Sequence, residues 1–413
     1  MTRKLGLIVL AAVLLTTVQA AAKGPTAPRT VFGIVWQNRQ TSLVELDALT
    51  LRPVSKAVPL GKAGRYLGRP SGNGMRAVRA AFSVGESGNA IRFVDLDAMY
   101  AGRRVALPCS VRNPVLWETA DRLVAACSSG WGSSILVLDP IRQRLVSRKE
   151  LDGSLVNVQV AGGVLAGLLA PSYGIGAAQL LVVDRAGSLR TAALPGIRAG
   201  IDTPDPGDRV RIESPALAVQ PSGRRAAVVP ASGAVTVVDL DTLAAETHAL
   251  SARNLAARKK NVEGTDRTAL WTWSNTIAVT GRDWSADGTP DHSTPAGLTL
   301  IDAGTWTSST LDDGAVEVSY TGPGGMLLSF GGVWDYANQK SVGDGLTAYS
   351  PEGTRRYHLF GSDAIWITVA GTYAYVASDD FRHFRIVDTT SGSVVAEPHT
   401  AKSTTLAPMS SAF

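Results

Sequence analysis

The residues with the clearest potential for chemistry lie in one short segment, from Asp283 to Asp291. Side-chain oxygens occupy positions 1, 3, 5 and 9 of this segment, and glycine occupies position 6. A Ca²⁺ ion needs several oxygens at about 2.3–2.6 Å, and the glycine permits the turn that brings them together. The segment therefore predicts a calcium loop with Asp283, Ser285, Asp287 and Asp291 as ligands. The alternative is a polar loop in which these residues only shape turns.

Aromatic residues are concentrated in the same part of the sequence and in other predicted loops. Exposed rings stack on sugars or pack against a protein partner, whereas rings that fold back only fill space against the protein body. The sequence does not decide between these two alternatives. The candidate ligand-binding residues are Trp131, Arg282, Trp284, Trp334 and Tyr336.

Motifs of known enzyme classes are absent from the sequence. It contains no Gly-x-Ser-x-Gly, His-Glu-x-x-His, P-loop or Gly-x-Gly-x-x-Gly. The one compact group of acids and a base is Asp379-Asp380 followed by His383. The sequence therefore favours a binding or interaction protein over an enzyme. The alternative is a metal-dependent hydrolase, lactonase or lyase, with Asp283, Asp287, Asp291, Asp379 and His383 as the candidates.

These residues are carried by a repeated unit, of which Val235–Asp239 is a clear copy. An apolar, β-branched run ends at an aspartate, and a second short apolar segment follows a turn. Two more strand-like segments precede most copies, so each repeat predicts four antiparallel strands, here named A to D. The aspartate ends strand C, and its carboxylate is expected to accept N–H bonds in the C–D turn. The anchors are Asp47, Asp95, Asp139, Asp184, Asp239, Asp302, Ser350 and Asp388.

The anchors recur every ~40 to 60 residues, which is close to the period of propeller blades. The hairpin, with the Ser-Gly or Gly-Gly turn of the next repeat, resembles the unit of secreted bacterial YVTN-type and quinoprotein-like β-propellers. The resemblance implies an all-β fold, a single propeller over residues 23–403, and specifies no activity. The Tyr-Val-Thr-Asn strand of that family is only echoed here, in Tyr375–Ser378. Eight four-stranded blades are favoured, and seven is the alternative.

The first repeat lacks an innermost strand before Arg29–Val35. Because an open edge strand invites association, a ring of blades needs closing. The C-terminal tail, residues 404–413, is predicted to supply the missing strand.

Four connections are longer than their neighbours: 195–213, 251–267, 281–297 and 331–345. B–C and D–A connections open on one side of a propeller, and long loops on a rigid scaffold often carry binding. We therefore expect a protein or carbohydrate ligand on the connection side of blades 5 to 7, with calcium as the only cofactor.

The N-terminal 22 residues predict a secretory signal peptide, with a basic start, an apolar run and small residues near its end. Export to the cell envelope or medium would let Cys109 and Cys127 form a disulfide, and two buried thiols are the alternative. The net charge is only +5, of which Arg3 and Lys4 supply two, so no nucleic-acid partner is expected. No transmembrane segment is predicted, and we expect a monomer. The 42 glycines and 21 prolines suit short strands separated by turns.

Overall fold

The structure, a computed structural model, describes residues 26–406 apart from internal gaps at 38–39, 62, 69–79, 86–88, 113, 120, 130–131, 185–186, 203–210, 232–233, 251–261, 286–292, 336–339, 362–365 and 379. The predicted signal peptide lies outside the described residues. The described part of the chain forms strands and no α-helix, so the all-β prediction is confirmed. Among these residues, no helix has the length and apolar character that a membrane crossing requires.

The described residues of the first half of the chain form sixteen strands. They are β1 (Thr30–Gln37), β2 (Gln40–Asp47), β3 (Val58–Gly61), β4 (Ala63–Gly68), β5 (Ala80–Gly85), β6 (Ala90–Asp95), β7 (Tyr100–Ala106), β8 (Ser110–Val111), β9 (Leu116–Thr119), β10 (Arg122–Ser129), β11 (Gly132–Asp139), β12 (Arg144–Leu151), β13 (Ser154–Ala161), β14 (Val164–Ala170), β15 (Gly174–Val183) and β16 (Leu189–Asp202).

The second half continues the same pattern of short antiparallel strands. They are β17 (Arg211–Ser214), β18 (Ala216–Val219), β19 (Arg225–Val229), β20 (Ala234–Asp239), β21 (Ala245–Ala249), β22 (Val262–Trp271), β23 (Thr276–Ser285), β24 (Ser293–Pro295), β25 (Leu298–Asp302), β26 (Ser308–Asp312), β27 (Glu317–Tyr320), β28 (Leu327–Asp335), β29 (Lys340–Tyr349), β30 (Arg355–Leu359), β31 (Trp366–Ala370), β32 (Tyr373–Ala377), β33 (Phe384–Asp388), β34 (Val394–Ala396) and β35 (Thr404–Leu406).

Five of the sheets contain four strands each, in the propeller arrangement that the sequence predicted. Four of them follow the chain, with the orders β4-β5-β6-β7, β18-β19-β20-β21, β27-β28-β29-β30 and β31-β32-β33-β34. The fifth has the order β3-β2-β1-β35. A further sheet consists of β8, β9, β10, β11 and β12, with both β8 and β9 paired to β10.

The two ends of the described chain meet in one sheet. Strand β35 pairs antiparallel with β1, with Gly33 opposite Leu406 and Val35 opposite Thr404. Leu406 is buried and packs in a core cluster that includes Val31 and Phe384. The C-terminal strand thus covers the edge of β1 that would otherwise lie open.

The aspartate anchors close the C–D turns as the sequence predicted. Oδ1 of Asp239 accepts hydrogen bonds from the backbone N–H groups of Asp241 at 3.1 Å and Thr242 at 2.8 Å. These bonds, with one from the Thr242 hydroxyl, lower the pKa of Asp239. Equivalent side-chain acceptors end the other copies of strand C, namely Asp47, Asp95, Asp139, Asp184, Asp302, Ser350 and Asp388.

Small and β-branched side chains fill the space between neighbouring sheets. One core cluster joins Ala218 and Val235 to Trp271 and Ile277, and so packs β18–β21 against the β22–β23 hairpin. Cys109 and Cys127 form a disulfide, which indicates an oxidising environment for the protein.

The long connections contain strands where the sequence analysis expected loops. Strands β13–β16 and β22–β26 belong to one ten-stranded sheet, in which β17 pairs antiparallel with β16 and parallel with β22. Segment 331–345 likewise begins and ends in the β28–β29 hairpin. The reason is that backbone pairing continues past the apolar body of each repeat. Glycines such as Gly281, with a φ of +149°, allow the strands to bend there.

Candidate functional site

Antiparallel pairing places the B–C and D–A connections on one side of the fold, named the connection face and including residues 171–173 and 380–383. The A–B and C–D turns, such as 221–224 and 239–243, form the opposite turn face. The β22–β23 hairpin extends toward the connection face, because β22 begins there and β23 ends there. This hairpin carries two of the candidate ligand-binding residues, Arg282 and Trp284.

The two sides of the hairpin carry different groups. Asp266 lies opposite Arg282, and Thr265 lies opposite Asp283. Because successive strand residues point to opposite sides, Arg267 and Asp283 share the side that packs against β18–β21. Arg282 and Trp284 share the other side, where the hairpin packs against β27 and β28.

Arg267 and Asp283 form a buried ion pair. The guanidinium Nη2 donates to Oδ1 of Asp283 at 2.6 Å, and Nη1 donates to the carbonyl oxygen of Arg282 at 2.7 Å. The two residues are only 2% and 1% exposed. Gly281, directly opposite Arg267, has no side chain, and a Cβ there would lie 2.0 Å from the carbonyl oxygen of Asp266. The pair therefore belongs to the tightly packed interior of the hairpin.

This pairing bears on the predicted calcium loop. One carboxylate oxygen of Asp283 is already used by Arg267, and within the described residues the other, Oδ2, is buried without a hydrogen-bond partner. Asp287 and Asp291 lie outside the described residues, as does the side chain of Ser285. The calcium loop stays a prediction.

On the other side of the hairpin, the positive charge of Arg282 acts on two carboxyl groups, those of Asp266 and Glu317. Burial raises the pKa of Asp266, and a hydrogen bond from Ser214 and the charges of Arg267 and Arg282 oppose that rise. Burial also raises the pKa of Glu317, again opposed by Arg282. Glu317 is nonetheless exposed at the start of β27, so solvent moderates this rise.

Trp284 is half-buried beside this group. Its Nε1 atom is inaccessible to solvent and, in the described part of the chain, has no hydrogen-bond partner. An indole N–H that is shielded from water usually finds an acceptor. We name the site formed by Asp266, Arg282, Trp284 and Glu317 the Arg282 crevice. It offers an aromatic ring, hydrogen-bond donors and two carboxyl acceptors.

Sequence reasoning found part of this crevice and missed the rest. Arg282 and Trp284 were predicted and share one side of the hairpin, whereas Asp266 and Glu317 were not singled out. Cross-strand register could have indicated Asp266, but only once β22 and β23 were paired correctly. Trp131 and Tyr336 lie outside the described residues. Trp334 belongs to β28, and its side chain is not among those described.

Two members of the predicted acid–base group, Asp380 and His383, contact each other. Asp380 contacts His383, with 2.9 Å between Oδ2 and Nδ1, while Asp379 lies outside the described residues. His399, which sequence reasoning did not single out, lies against the His383 ring. Among the described residues, no group of three or more His, Cys, Asp or Glu side chains is placed to hold a metal ion.

A separate groove of about 480 Å³ opens on the turn face, between β13–β16 and β18–β21. Asp184, Arg190, Arg224 and Asp241 line it. The Arg190 guanidinium donates to the carbonyl oxygens of Leu240 at 2.6 Å and Asp241 at 2.8 Å. The Arg190 side chain thus joins two sheets. The groove lies away from the Arg282 crevice.

The sequence matches no protein-family model and no curated protein sequence. Among solved structures, the fold is similar to that of the dihydro-heme d1 dehydrogenase NirN in complex with DHE. The TM-score is 0.58 at 12% identity, over 95% of this chain and 77% of that chain. Hsv2 of Kluyveromyces lactis gives 0.44 at 9% identity, over 76% of this chain and 96% of that one.

Hydrazine synthase of Kuenenia stuttgartiensis gives a TM-score of 0.39 at 12% identity, over 78% of this chain and 76% of that chain. The likeness to NirN confirms the predicted resemblance to propeller-type proteins at the level of fold. Identities this low show the fold alone, since propellers of one architecture serve many functions. Functional argument therefore has to come from the residues of this chain.

Proposed function

We propose that this chain is an exported β-propeller of eight blades that binds its ligand in the Arg282 crevice. Two four-stranded units within the ten-stranded sheet, and the sheet around β10, support three blades beyond the five separate sheets. The disulfide and the signal-like N-terminus support export.

The observation that carries the proposal is the combination of Trp284 with Arg282 and its two carboxyl neighbours. The shielded Nε1 of Trp284 lacks an acceptor within the described residues, and a bound hydroxyl or carbonyl oxygen would supply one. The carboxyl groups of Asp266 and Glu317 accept hydrogen bonds, and Arg282 donates them.

Donors and acceptors around one aromatic ring suit a polyhydroxylated ligand, because each sugar hydroxyl both donates and accepts. We therefore propose a carbohydrate as the ligand. A protein partner is the alternative that the same face would serve.

A glycan array followed by titration calorimetry tests the proposal. Trp284→Phe keeps an aromatic ring but removes the N–H, so affinity should fall about fivefold to tenfold, equivalent to ~1 kcal/mol. Arg282→Ala should weaken binding more, by about tenfold to a hundredfold. Trp273→Ala is the matched control, because Trp273 is 46% exposed at the opposite end of the same hairpin. Unchanged affinity in both crevice variants would refute the proposal.

Catalysis is a second candidate, favoured by the two carboxyl groups whose pKa values burial raises. A carboxyl group that keeps its proton closer to neutral pH can act as a general acid. Hydrolysis of glycosides or lactones, abolished by Glu317→Gln while glycan binding persists, would support a hydrolase. Assaying the same substrates with and without EDTA tests whether a hydrolase, lactonase or lyase activity depends on a metal, and an unsaturated product would identify a lyase.

A further inference from the structure

Two histidine side chains meet where the last four-stranded sheet leads into the closing strand β35. His383 immediately precedes β33, and His399 lies in the segment between β34 and β35. The two residues form an antiparallel bridge, and their ring centroids are 4.4 Å apart with planes tilted by 50°. This pair lies at the junction of the first and last repeats, apart from the hairpin that carries the Arg282 crevice.

Backbone hydrogen bonds on both sides of the pair hold the two segments together. The N–H of Thr400 donates to the carbonyl oxygen of Arg382 at 2.8 Å, and the N–H of Phe384 donates to that of Pro398 at 3.1 Å. The two imidazoles are thus presented by a fixed piece of main chain. Side chains that are already held in place lose little conformational entropy when they bind a ligand.

Asp380 orients the His383 ring from behind. Its Oδ2 lies 2.9 Å from Nδ1 of His383, and its Oδ1 accepts from the Ser378 hydroxyl at 2.6 Å and the Arg382 N–H at 2.8 Å. A carboxylate that accepts the Nδ1–H of a histidine leaves a lone pair on Nε2. Histidines that ligate a metal ion commonly donate their other ring N–H to a carboxylate in this way.

We propose that His383, through Nε2, and His399 bind a divalent transition-metal ion of the zinc class, with Asp380 as the positioning residue. Imidazole nitrogens prefer such ions to calcium or magnesium. The His383 side chain is 65% exposed, so an ion can reach it from solvent. Bound metal would join the turn after β32 to the segment that leads into β35.

Two protein ligands leave the other coordination positions of the ion open to water or to another ligand. Because both ligands belong to segments that close the ring, the ion would also stabilise the folded protein. This inference is independent of the Arg282 crevice and of the predicted calcium loop.

Titration calorimetry with Zn²⁺ and with Ni²⁺, on untagged protein first treated with EDTA, tests the proposal. One ion per chain should bind. His383→Ala and His399→Ala should each abolish that binding, and Asp380→Asn should weaken it about 10-fold to 100-fold. His248→Ala and His358→Ala are matched controls, since those histidines lie elsewhere in the fold, and they should leave binding unchanged.

Thermal melting distinguishes a lost ligand from a misfolded variant. Zn²⁺ should raise the melting temperature of the wild-type protein and leave that of each folded His383 or His399 variant unchanged. Binding that survives either single substitution would overturn the proposal, because that imidazole would then be no ligand. Absence of Zn²⁺ binding by the wild-type protein would overturn it as well.

Discussion

The buried pair of Arg267 and Asp283 leads to a prediction about stability that also addresses the calcium loop. Removing one partner leaves the other charge in a site that water does not reach. In Asp283→Leu, the guanidinium of Arg267 loses its 2.6 Å contact with a carboxylate oxygen. In Arg267→Met, the carboxylate of Asp283 loses the donor at 2.6 Å.

Each single substitution should lower the free energy of unfolding by about 3–5 kcal/mol, the usual result of removing one partner of a buried ion pair. The double variant, with Met and Leu on the same side of the hairpin, contains neither of these two charges. Its loss should therefore be smaller than the sum of the two single losses, with a coupling energy of ~2 kcal/mol or more.

Urea denaturation followed by tryptophan fluorescence measures these values, provided that the slope m is the same in all four proteins. A cost below ~1 kcal/mol for either single substitution, or two costs that simply add, would contradict a buried ion pair of this strength.

The same four proteins distinguish an ion pair from a calcium ligand at Asp283. If Arg267 is the partner that matters, the cost of Asp283→Leu is the same in EDTA and in added Ca²⁺. A calcium ligand would instead make that cost large in Ca²⁺ and small in EDTA, because ligand binding stabilises only the folded protein.

Three further outcomes follow from the fold. Leu406→Ala should lower the free energy of unfolding, measured in urea, by about 2–5 kcal/mol, because it opens a cavity where β35 closes the ring. A variant that ends at Ser403 should in addition self-associate through the uncovered edge of β1, and light scattering would detect this. Replacing Cys109 and Cys127 together by alanine should cost about 2–4 kcal/mol, since the disulfide restricts the unfolded chain, and wild-type protein in a reducing agent should show the same loss. The pKa of Asp239 is lowered in the folded state. Its ionised form therefore stabilises the fold fully at pH values above its ordinary pKa of 3.8. This stabilisation is lost as the pH falls through the folded-state pKa. The difference in unfolding free energy between wild type and Asp239→Ala should accordingly be largest at neutral pH and shrink in acid, and a difference independent of pH would contradict this.

The C–D turns could be predicted from sequence because their chemistry is local. An aspartate accepts hydrogen bonds from residues two and three positions further on, so Asp239 and Thr242 act within a single turn. The four-strand repeat is similarly contained in about fifty residues. Local rules of this kind gave the correct fold class.

The long connections and the crevice depended on distant partners. Strand β17 forms because it pairs with β16 on one side and in parallel with β22 on the other, and no short window of sequence shows that partner. Asp266 and Glu317 were missed for the same reason, since each meets Arg282 across separate strands. His399 was missed because its position beside His383 depends on how β35 returns to the first repeat.

The C–D turns also explain why function is to be sought on the connection face. In the turn of Asp239 the carboxylate accepts from N–H groups, and the carbonyl oxygens of the residues that follow are available to donors from elsewhere. Donors on the last strand of the preceding sheet use those carbonyl oxygens, as when Arg190 binds the turn of Leu240 and Asp241. Arg103 contacts the carbonyl oxygens of 142 and 143 in the same way, and the Tyr357 hydroxyl donates to that of Thr389 at 2.8 Å. These three side chains on the turn face thereby join neighbouring sheets, whereas the Arg282 crevice on the connection face presents an indole N–H that has no acceptor within the described residues.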